Sequence, residues 1–510
     1  MPQRVWYSVS CLLFWRTTDR ERGGFDMRFV YVAISALLLL PLTAESRDNF
    51  WVIGGGPHPG SSEAQIEYNV NWVISSLHTH WPDAKLHVLY ANGEGPEKSV
   101  KAWNPRGSDS LENFQPFARV FGAQQENGYE YRTHDVPEVE GSTRPDVLVP
   151  TLRSEFSSLR PGDQAFIIYN GHGLRDAQDP AGNTLRLWGD TELSAREFEQ
   201  LLQNVDAQVP VRFVFTQCYS GGFARIIHPN ADDVLGLAPG ERCGFFAESE
   251  DRESEGCSAS IDIGDYRDYT TYFFAALTGA DRLGHPIEGN PDLDGNGQVS
   301  PYEAHVYVLR NAYNGDLPRS TSEVFLERWE PWYVRWLTAG PLPENLYSQL
   351  AREVAQQNGL PLEDVAMMEA LSERRLELEA KREQALEEQG GLKRDIKALQ
   401  HSIKADLALY WPEVLEPYTR GFAVFVSNEI NDAQRFILAH KDYPALVSKQ
   451  ARFDEIEQRE LLDLDRKITQ LDKIERFRRL SRLLDQFQRH AAPSVKADFE
   501  KLISCEKRPL

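Results

Sequence analysis

The fold is decided by two stretches, AFIIYNGHG at residues 165–173 and VRFVFTQCYSGG at residues 211–222. Each opens with a short, largely apolar run of β-branched and aromatic residues and then reaches glycine. Runs of this length and composition are typical of buried strands in a parallel sheet. Each predicted strand therefore carries a reactive side chain, His172 or Cys218, at its carboxyl end.

The segment between these strands predicts a crossover helix. Ser194 and Glu197 have the spacing of a capping box, and apolar residues follow at helical intervals. A right-handed crossover places the two strands side by side, with their carboxyl ends on the edge where open α/β sheets hold their chemistry. His172 and Cys218 are thus a candidate base and nucleophile.

Each of these residues also has a simpler interpretation. An isolated cysteine at a strand end is usually a small buried hydrophobe, and an isolated histidine is usually satisfied by local polar groups. Here both residues end strand-like runs and both lie near glycine, which lets a substrate carbonyl approach the backbone. We therefore favour the catalytic interpretation of the pair.

The composition is that of a globular protein with an acidic excess. The chain has 510 residues, a length that accommodates about two to four domains. Its residues are 41% hydrophobic and 26% charged, as in an ordinary globular protein. The formal net charge of −22 argues against non-specific nucleic-acid binding. We expect a protein or peptide substrate rather than nucleic acid.

The N-terminus predicts export. An apolar run at residues 29–42 follows Arg28 and precedes Thr43 and Ala44, which is the pattern of a signal peptide with a cleavage site. The run is too short to span a bilayer, so residues 1–44 are predicted to be an extension and signal peptide, with the true start at Met27. An uncleaved anchor is the alternative. The mature protein is expected to be secreted or periplasmic, without a stable membrane span.

The cysteines suggest a disulfide. Cys243 and Cys257 enclose an acidic loop at residues 248–255, and in an oxidising compartment they are a candidate pair. Two unpaired thiols are the alternative. Cys11 would be lost with the signal, and Cys505 is left over near the C-terminus.

Further strands and helices alternate around the central pair. Residues 91–144 lack a clear period and are predicted to be a long loop or an insertion. The pattern predicts an α/β sandwich with a mostly parallel sheet over residues 45–338. The other predicted strands lie at 51–56, 86–90 and 243–247, and the other predicted helices at 64–79, 146–159 and 266–277.

These motifs resemble the caspase–legumain clan of cysteine peptidases over about residues 50–335. YNGHG at 169–173 is similar to the G-H-G of caspases and metacaspases, and QCYSG at 217–221 is similar to the C-x-S-G of metacaspases and legumains. FAESEDRES at 246–254 resembles the strand and loop that follow the nucleophile in legumains. The chain departs from the clan at Gln217 and Tyr219, where metacaspases and legumains respectively have acidic residues.

The resemblance implies a caspase-like three-layer sandwich and a cysteine endopeptidase. Cys218 would attack an amide carbonyl, and His172 would protonate the leaving amine and then activate water. The resemblance also implies an oxyanion hole made by the backbone N–H groups of Gly173 and Cys218.

Asp268 and residues of the acidic loop at 248–255, which lie near the nucleophile in the sequence or follow it, are candidates for the specificity pocket. A carboxylate in the pocket would favour a basic residue before the scissile bond. A solvated acidic loop is the alternative. The candidates are Asp268, Ser249 and Glu250.

A second motif, DLDGNGQVSPYE at residues 292–303, fits an EF-hand calcium loop, with Gly297 at the sharp turn. A helix is predicted to follow from 303 to 311, but none precedes, so we expect a lone calcium loop with a structural or regulatory ion. A structural turn without calcium is the alternative. The predicted ligands are Asp292, Asp294, Asn296, Gln298, Ser300 and Glu303.

Residues 339–510 predict a separate helical region. Apolar residues recur at spacings of three and four, which indicates long amphipathic helices in a coiled-coil-like hairpin or bundle. Breaks are predicted at Gly390–Gly391 and at residues 411–417. The region could oligomerise the chain, bind a partner, cover the active site or serve only as a folded appendage.

The leading hypothesis is therefore a secreted, calcium-binding, caspase- or legumain-like cysteine endopeptidase. An amide-transferring relative, in which an amine replaces water, is one alternative. A non-catalytic, calcium-stabilised scaffold whose helical region binds a partner is the other.

Overall fold

A mostly parallel sheet lies at the centre of the structure, a computed structural model that describes residues 47–103, 114–122, 129–333 and 341–510. Residues Ser46–Leu510 form one compact unit. The predicted signal peptide, the start at Met27 and the predicted domain boundary at 338 lie outside the described residues. Within the described ranges, no helix has the length and apolar character needed to cross a membrane.

The sheet order is β11-β10-β9-β6-β1-β2-β5. From β10 to β5 every neighbouring pair is parallel, whereas β11 is antiparallel to β10. An antiparallel hairpin, β7–β8, continues from the end of β6, and β3–β4 form a separate ribbon. The strands are β1 Asp48–Gly55, β2 Lys85–Tyr90, β3 Val100–Trp103, β4 Tyr129–Arg132, β5 Val139–Gly141, β6 Gln164–Leu174, β7 Thr184–Leu187, β8 Thr191–Ser194, β9 Val211–Phe215, β10 Arg242–Phe246 and β11 Arg319–Ser320.

Helices cover both faces of the sheet. Successive residues of a strand point to opposite faces, so Val52 packs into one helical layer and Ile53 into the other. Because both faces of the sheet are covered, the sequences of these strands are nearly continuous apolar runs. The helices are α1 Ala64–His80, α2 Gln115–Phe121, α3 Pro145–Ser158, α4 Ala195–Leu202, α5 Tyr269–Thr278, α6 Pro301–Asn311, α7 Thr321–Trp329, α8 Leu346–Gln357, α9 Asp364–Ala408, α10 Arg420–Asn428, α11 Ile430–Ala439, α12 Tyr443–Glu455, α13 Leu461–His490 and α14 Pro493–Glu506.

The predicted class, α/β with a mostly parallel sheet followed by a helical region, is confirmed. Of the two predictions for 91–144, a long loop or an insertion, the loop is wrong, since β3, α2, β4 and β5 fall there. These strands have only three or four residues each and the helix has seven, so too few residues repeat for a period to show.

The helical region packs against the sheet layers and against itself. A shared apolar cluster joins α6 and α7 to α8, α9 and α13, and a second cluster joins α2 to α9 and α12. The predicted break at Gly390–Gly391 is wrong, because the 45-residue helix α9 runs through it. Two glycines cost about 2 kcal/mol in a helix interior, and packing at both ends of α9 offsets that cost. The break at 411–417 is confirmed.

The disulfide prediction is corrected by the structure. Cys243 is bonded to Cys505, across 262 residues of sequence, whereas Cys257 is a free, partly exposed thiol. Cys243 lies near the start of β10, where α14 packs, with 6.0 Å between the Cys243 and Cys505 Cα atoms. The chain between Cys243 and Cys257 passes along β10 to the other edge of the sheet, which separates these two cysteines.

Glu506, next to this disulfide, attaches α14 to the start of α7. Its fully buried carboxylate accepts hydrogen bonds from the Thr321 and Ser322 hydroxyls and from the Ser322 N–H, each at 2.7 Å. Burial outweighs these hydrogen bonds and raises the pKa of Glu506 to about 7. The carboxyl group therefore holds a proton in the folded protein at a pH where the unfolded chain has lost it.

We predict that Glu506 makes the protein more stable in mild acid. Its contribution is complete below its unfolded pKa and is lost as the pH rises through about 7, by about 3 kcal/mol at 1.36 kcal/mol per pKa unit. Urea unfolding of the wild type and of Glu506→Gln at pH 5 and pH 8 measures this. Glu506→Gln should lose less stability between the two pH values, and an equal loss in both proteins would contradict the assignment.

Candidate functional site

The ends of β6 and β9 bring His172 and Cys218 to one edge of the sheet. Tyr169 and Phe215 are the last paired residues of these neighbouring parallel strands, and each reactive residue lies three positions further on. The backbones remain close beyond that pair, because a Cβ at Gly173 would collide with the Cys218 carbonyl oxygen. Glycine is required at position 173 for this approach.

His172 is held by a carboxylate that the sequence analysis did not identify. The His172 Nε2–H donates to Glu63 Oε2 at 2.8 Å, since a carboxylate can only accept. Glu63 precedes α1, and its side chain makes no capping hydrogen bond to that helix. The one feature of the sequence that could have identified Glu63 is its position shortly after β1, because β1 is the neighbour of β6 in the sheet.

The free thiol of Cys257 also reaches His172. Cys257 is close enough to act on the charge of the imidazole. Burial lowers the pKa of His172, but Cys257 and then Glu63 outweigh this effect and raise the pKa to about 11. The imidazole is therefore protonated at neutral pH, between one carboxylate and one sulfur.

Cys218 has a different environment. Its sulfur lies 3.8 Å from both the carbonyl oxygen and the hydroxyl of Ser254. Burial, and then the neighbouring Cys257, raises the pKa of Cys218 to about 11, so the group is a neutral thiol at pH 7. Within the described ranges, no hydrogen bond joins Cys218 to His172. The predicted pair shares one sheet edge but is not engaged in this conformation.

The backbone around Cys218 forms a sharp turn. Tyr219 has left-handed dihedral angles, φ 60° and ψ 20°, and its N–H donates to the Arg252 carbonyl. In the part of the chain that the structure describes, the Cys218 N–H has no hydrogen-bond acceptor. It is thus free to bind a substrate oxygen, as predicted for an oxyanion hole, while Gly173 lies opposite Leu185 in the β6–β7 pair.

Gln217, directly before Cys218, is an exception to the usual pairing of buried polar groups. Its side chain is 1% exposed, and within the described residues neither its amide nitrogen nor its amide oxygen has a partner.

The residues predicted for the specificity pocket differ in how their side chains are engaged. Asp268 is 2% exposed, caps α5 through Thr271 and lies 3.7 Å from the buried Arg282. Ser249 is buried and donates to Asp251, while Glu250 uses its carbonyl to accept from Asn183. These placements leave the carboxylate of Asp268 occupied by structural partners.

The same loop is held by the helical region. Arg466 of α13 pairs with both carboxylate oxygens of Glu255, and Asp472 of α13 pairs with Arg252. The Glu255 N–H donates to Asp316 at 2.7 Å. These contacts place Ser254 against Cys218.

The calcium loop brings carboxylates together. Ligand oxygens of Asp292, Asp294 and Glu303 lie within 4.8 Å of one another, and the Gly297 N–H donates to Asp292 Oδ2. Ser300 instead caps α6 in a capping box with Glu303, and Asn296 accepts from the Gln298 N–H. Three carboxylates at one loop are hard oxygen ligands of the kind that calcium prefers, and Glu303 also accepts hydrogen bonds from the Leu293 and Ser300 N–H groups.

Comparisons with known proteins give little for this site. No family model matches the chain, and no curated protein matches it. The solved structure of protein GSU0716 from Geobacter sulfurreducens matches with a TM-score of 0.26 and 12% identity, over 41% of this chain and 76% of that chain. A TM-score this low carries no argument about function.

Proposed function

We propose that the protein is a secreted cysteine endopeptidase of the caspase–legumain type, with Cys218 as nucleophile and His172 as general acid and base. The observation that carries this proposal is the close approach of the two strand ends, in which Gly173 meets the Cys218 carbonyl. Glu63 supports it as a third group that orients the imidazole. The mostly parallel sheet between two helical layers is consistent with the three-layer sandwich of that clan.

The reaction begins with a proton transfer from the Cys218 thiol. His172 must first leave Cys257 and release its proton to water, because a protonated imidazole cannot act as a base. The Cys218 sulfur then attacks the peptide carbonyl carbon, and its own N–H binds the developing oxyanion. The C–N bond breaks as His172 protonates the leaving amine. Water, deprotonated by His172, hydrolyses the thioester and releases the acid and the free thiol.

We predict that Cys257→Ala makes Cys218 more reactive. Removal of the competing sulfur frees His172 and removes one cause of the raised Cys218 pKa. Iodoacetamide labelling at pH 7, located by peptide mapping, should show faster alkylation of Cys218 in the variant than in the wild type. Cys505 is in a disulfide and does not compete. Slower alkylation of Cys218 would contradict this arrangement.

Calcium binding at residues 292–303 is a second part of the proposal. Three carboxylates there would lose much of their mutual repulsion when a divalent cation binds. We predict that calcium raises the melting temperature of the wild type, and that Asp294→Ala removes most of this increase. Asp294 is exposed, so the substitution should not itself unfold the protein. Glu288→Ala, outside the loop, is the matched control, and the same calcium response in Asp294→Ala would place the ion elsewhere.

A non-catalytic scaffold is the second candidate function. The observation that favours it is that His172 contacts Cys257 while Cys218 remains a neutral thiol. In that case the helical region would be the part that binds a partner. An amide-transferring enzyme would use the same residues and differ only in the acceptor, an amine instead of water.

Covalent labelling distinguishes these functions. The mature wild type and Cys218→Ala are treated with peptidyl electrophiles that carry arginine, asparagine or aspartate, with and without calcium. Labelling at Cys218 by any of them supports the enzyme, and the preferred electrophile identifies the specificity. If none of the probes modifies Cys218, including in Cys257→Ala, the scaffold replaces the peptidase.

A further inference from the structure

A large cleft lies between the sheet edge and the helical region. Its volume is about 1530 Å³, which is larger than the roughly 300–1,000 Å³ of a typical small-molecule site. One wall is the loop at 254–260 with β3, and the opposite wall is formed by α9, α12 and α13. A space of this size between two walls suits a segment of a polymer.

The cleft leads to the reactive side chains. Ser254 and Cys257 both line it. Ser254 lies 3.8 Å from the Cys218 sulfur, and Cys257 lies close enough to His172 to raise its pKa. A chain lying in the cleft would therefore pass beside the proposed dyad.

The charge of the cleft is opposite to that of the protein. Seven lysine or arginine residues line it against four aspartate or glutamate residues, although the whole chain has a net charge of −22. Arg466 is neutralised by Glu255. Lys393, Lys397 and Arg459 are exposed and make no ion pair or hydrogen bond within the described ranges. Lys393 and Lys397 are one helical turn apart on α9 and therefore lie on the same side of that helix, in the wall of the cleft.

We propose that this cleft binds an extended, acidic segment of the polypeptide substrate. The inference rests on the proposed peptidase function and specifies its substrate class. The unpaired cations of α9 supply the charge complementarity, which acts mainly on association and selectivity. Glu255 of the acidic loop next to Cys218, by contrast, is already paired with Arg466.

Peptide binding to the full-length Cys218→Ala protein tests the proposal without turnover. Fluorescence anisotropy measures Kd for unstructured peptides of equal length, one rich in aspartate and glutamate and one rich in lysine, and for a single-stranded oligonucleotide. We expect the acidic peptide to bind most tightly, with an affinity that falls as salt increases. Lys393→Glu combined with Lys397→Glu should weaken it about tenfold.

Lys441→Glu is the matched control, because Lys441 is also exposed and lies outside the cleft. It should leave Kd unchanged. Equal or tighter binding of the basic peptide, or unchanged binding in the double variant, would overturn the proposal. Tighter binding of the oligonucleotide would replace the peptide by a nucleic acid. Covalent labelling of Cys218 without peptide binding would contradict only the proposed role of the cleft. Peptide binding without covalent labelling would contradict only the proposed peptidase function.

Discussion

Replacement of His172 by alanine is expected to lower kcat/KM for peptide hydrolysis by about 10²–10⁴-fold, the usual contribution of a general acid–base group. Cys218→Ala should reduce turnover to the background rate, because no thioester can form. The reason is geometric: both residues follow paired strands at the same distance beyond Tyr169 and Phe215, so the proposed mechanism has them act on the same carbonyl group. The substrate would be a peptide that the probe experiment has shown to react.

The matched control is His78→Ala. His78 is about half exposed on α1 and forms an ion pair with Glu138 at the surface, so its loss should leave turnover unchanged. Glu63→Gln should fall between the two, since it removes the charge beside His172 but retains a hydrogen-bond acceptor. Full activity in His172→Ala would exclude His172 as the base, and activity in Cys218→Ala with its loss in Cys257→Ala would transfer the nucleophile to Cys257.

Arg476→Ala is expected to destabilise the protein by about 3–5 kcal/mol, the cost of leaving a buried carboxylate unpaired. Arg476 of α13 contacts Glu323 at 3.1 Å and Glu327 at 3.0 Å, and it donates to the Pro318 carbonyl. Burial raises the pKa of Glu323, but Arg476 and His305 outweigh it and hold that pKa far below its usual range. This cluster joins the helical region to α7.

Urea unfolding measures the effect, with Arg374→Ala as the control. Arg374 forms an exposed pair with Glu377 on α9, and loss of such a pair costs about 0–1 kcal/mol. Arg476→Met with Glu323→Gln and Glu327→Gln removes both signs of charge and should recover part of the stability. A loss in Arg476→Ala no larger than in Arg374→Ala would show that the buried cluster contributes little to holding α13.

Local patterns in the sequence predicted much of the fold. Continuous apolar runs identified β1, β2, β6, β9 and β10, because strands covered on both faces have no polar side. The predicted capping box of α4 is present, with hydrogen bonds in both directions between Ser194 and Glu197. In the candidate site, the order strand-His, helix, strand-Cys was enough to place His172 and Cys218 at one edge. The spacing of the loop at 292–303 likewise brought three carboxylates together.

Only the tertiary structure decided which distant groups meet. The contacts of Glu63 and Cys257 with His172, and the bond between Cys243 and Cys505, join positions far apart in sequence. The periodicity of apolar residues in a strand or helix indicates which face of that element is buried, but it does not indicate which other element packs against that face. Those contacts follow from the strand order and from where α13 and α14 pack. The sequence by itself therefore determined the central strands and the sheet edge that holds His172 and Cys218, and the packing determined the partners of these two residues.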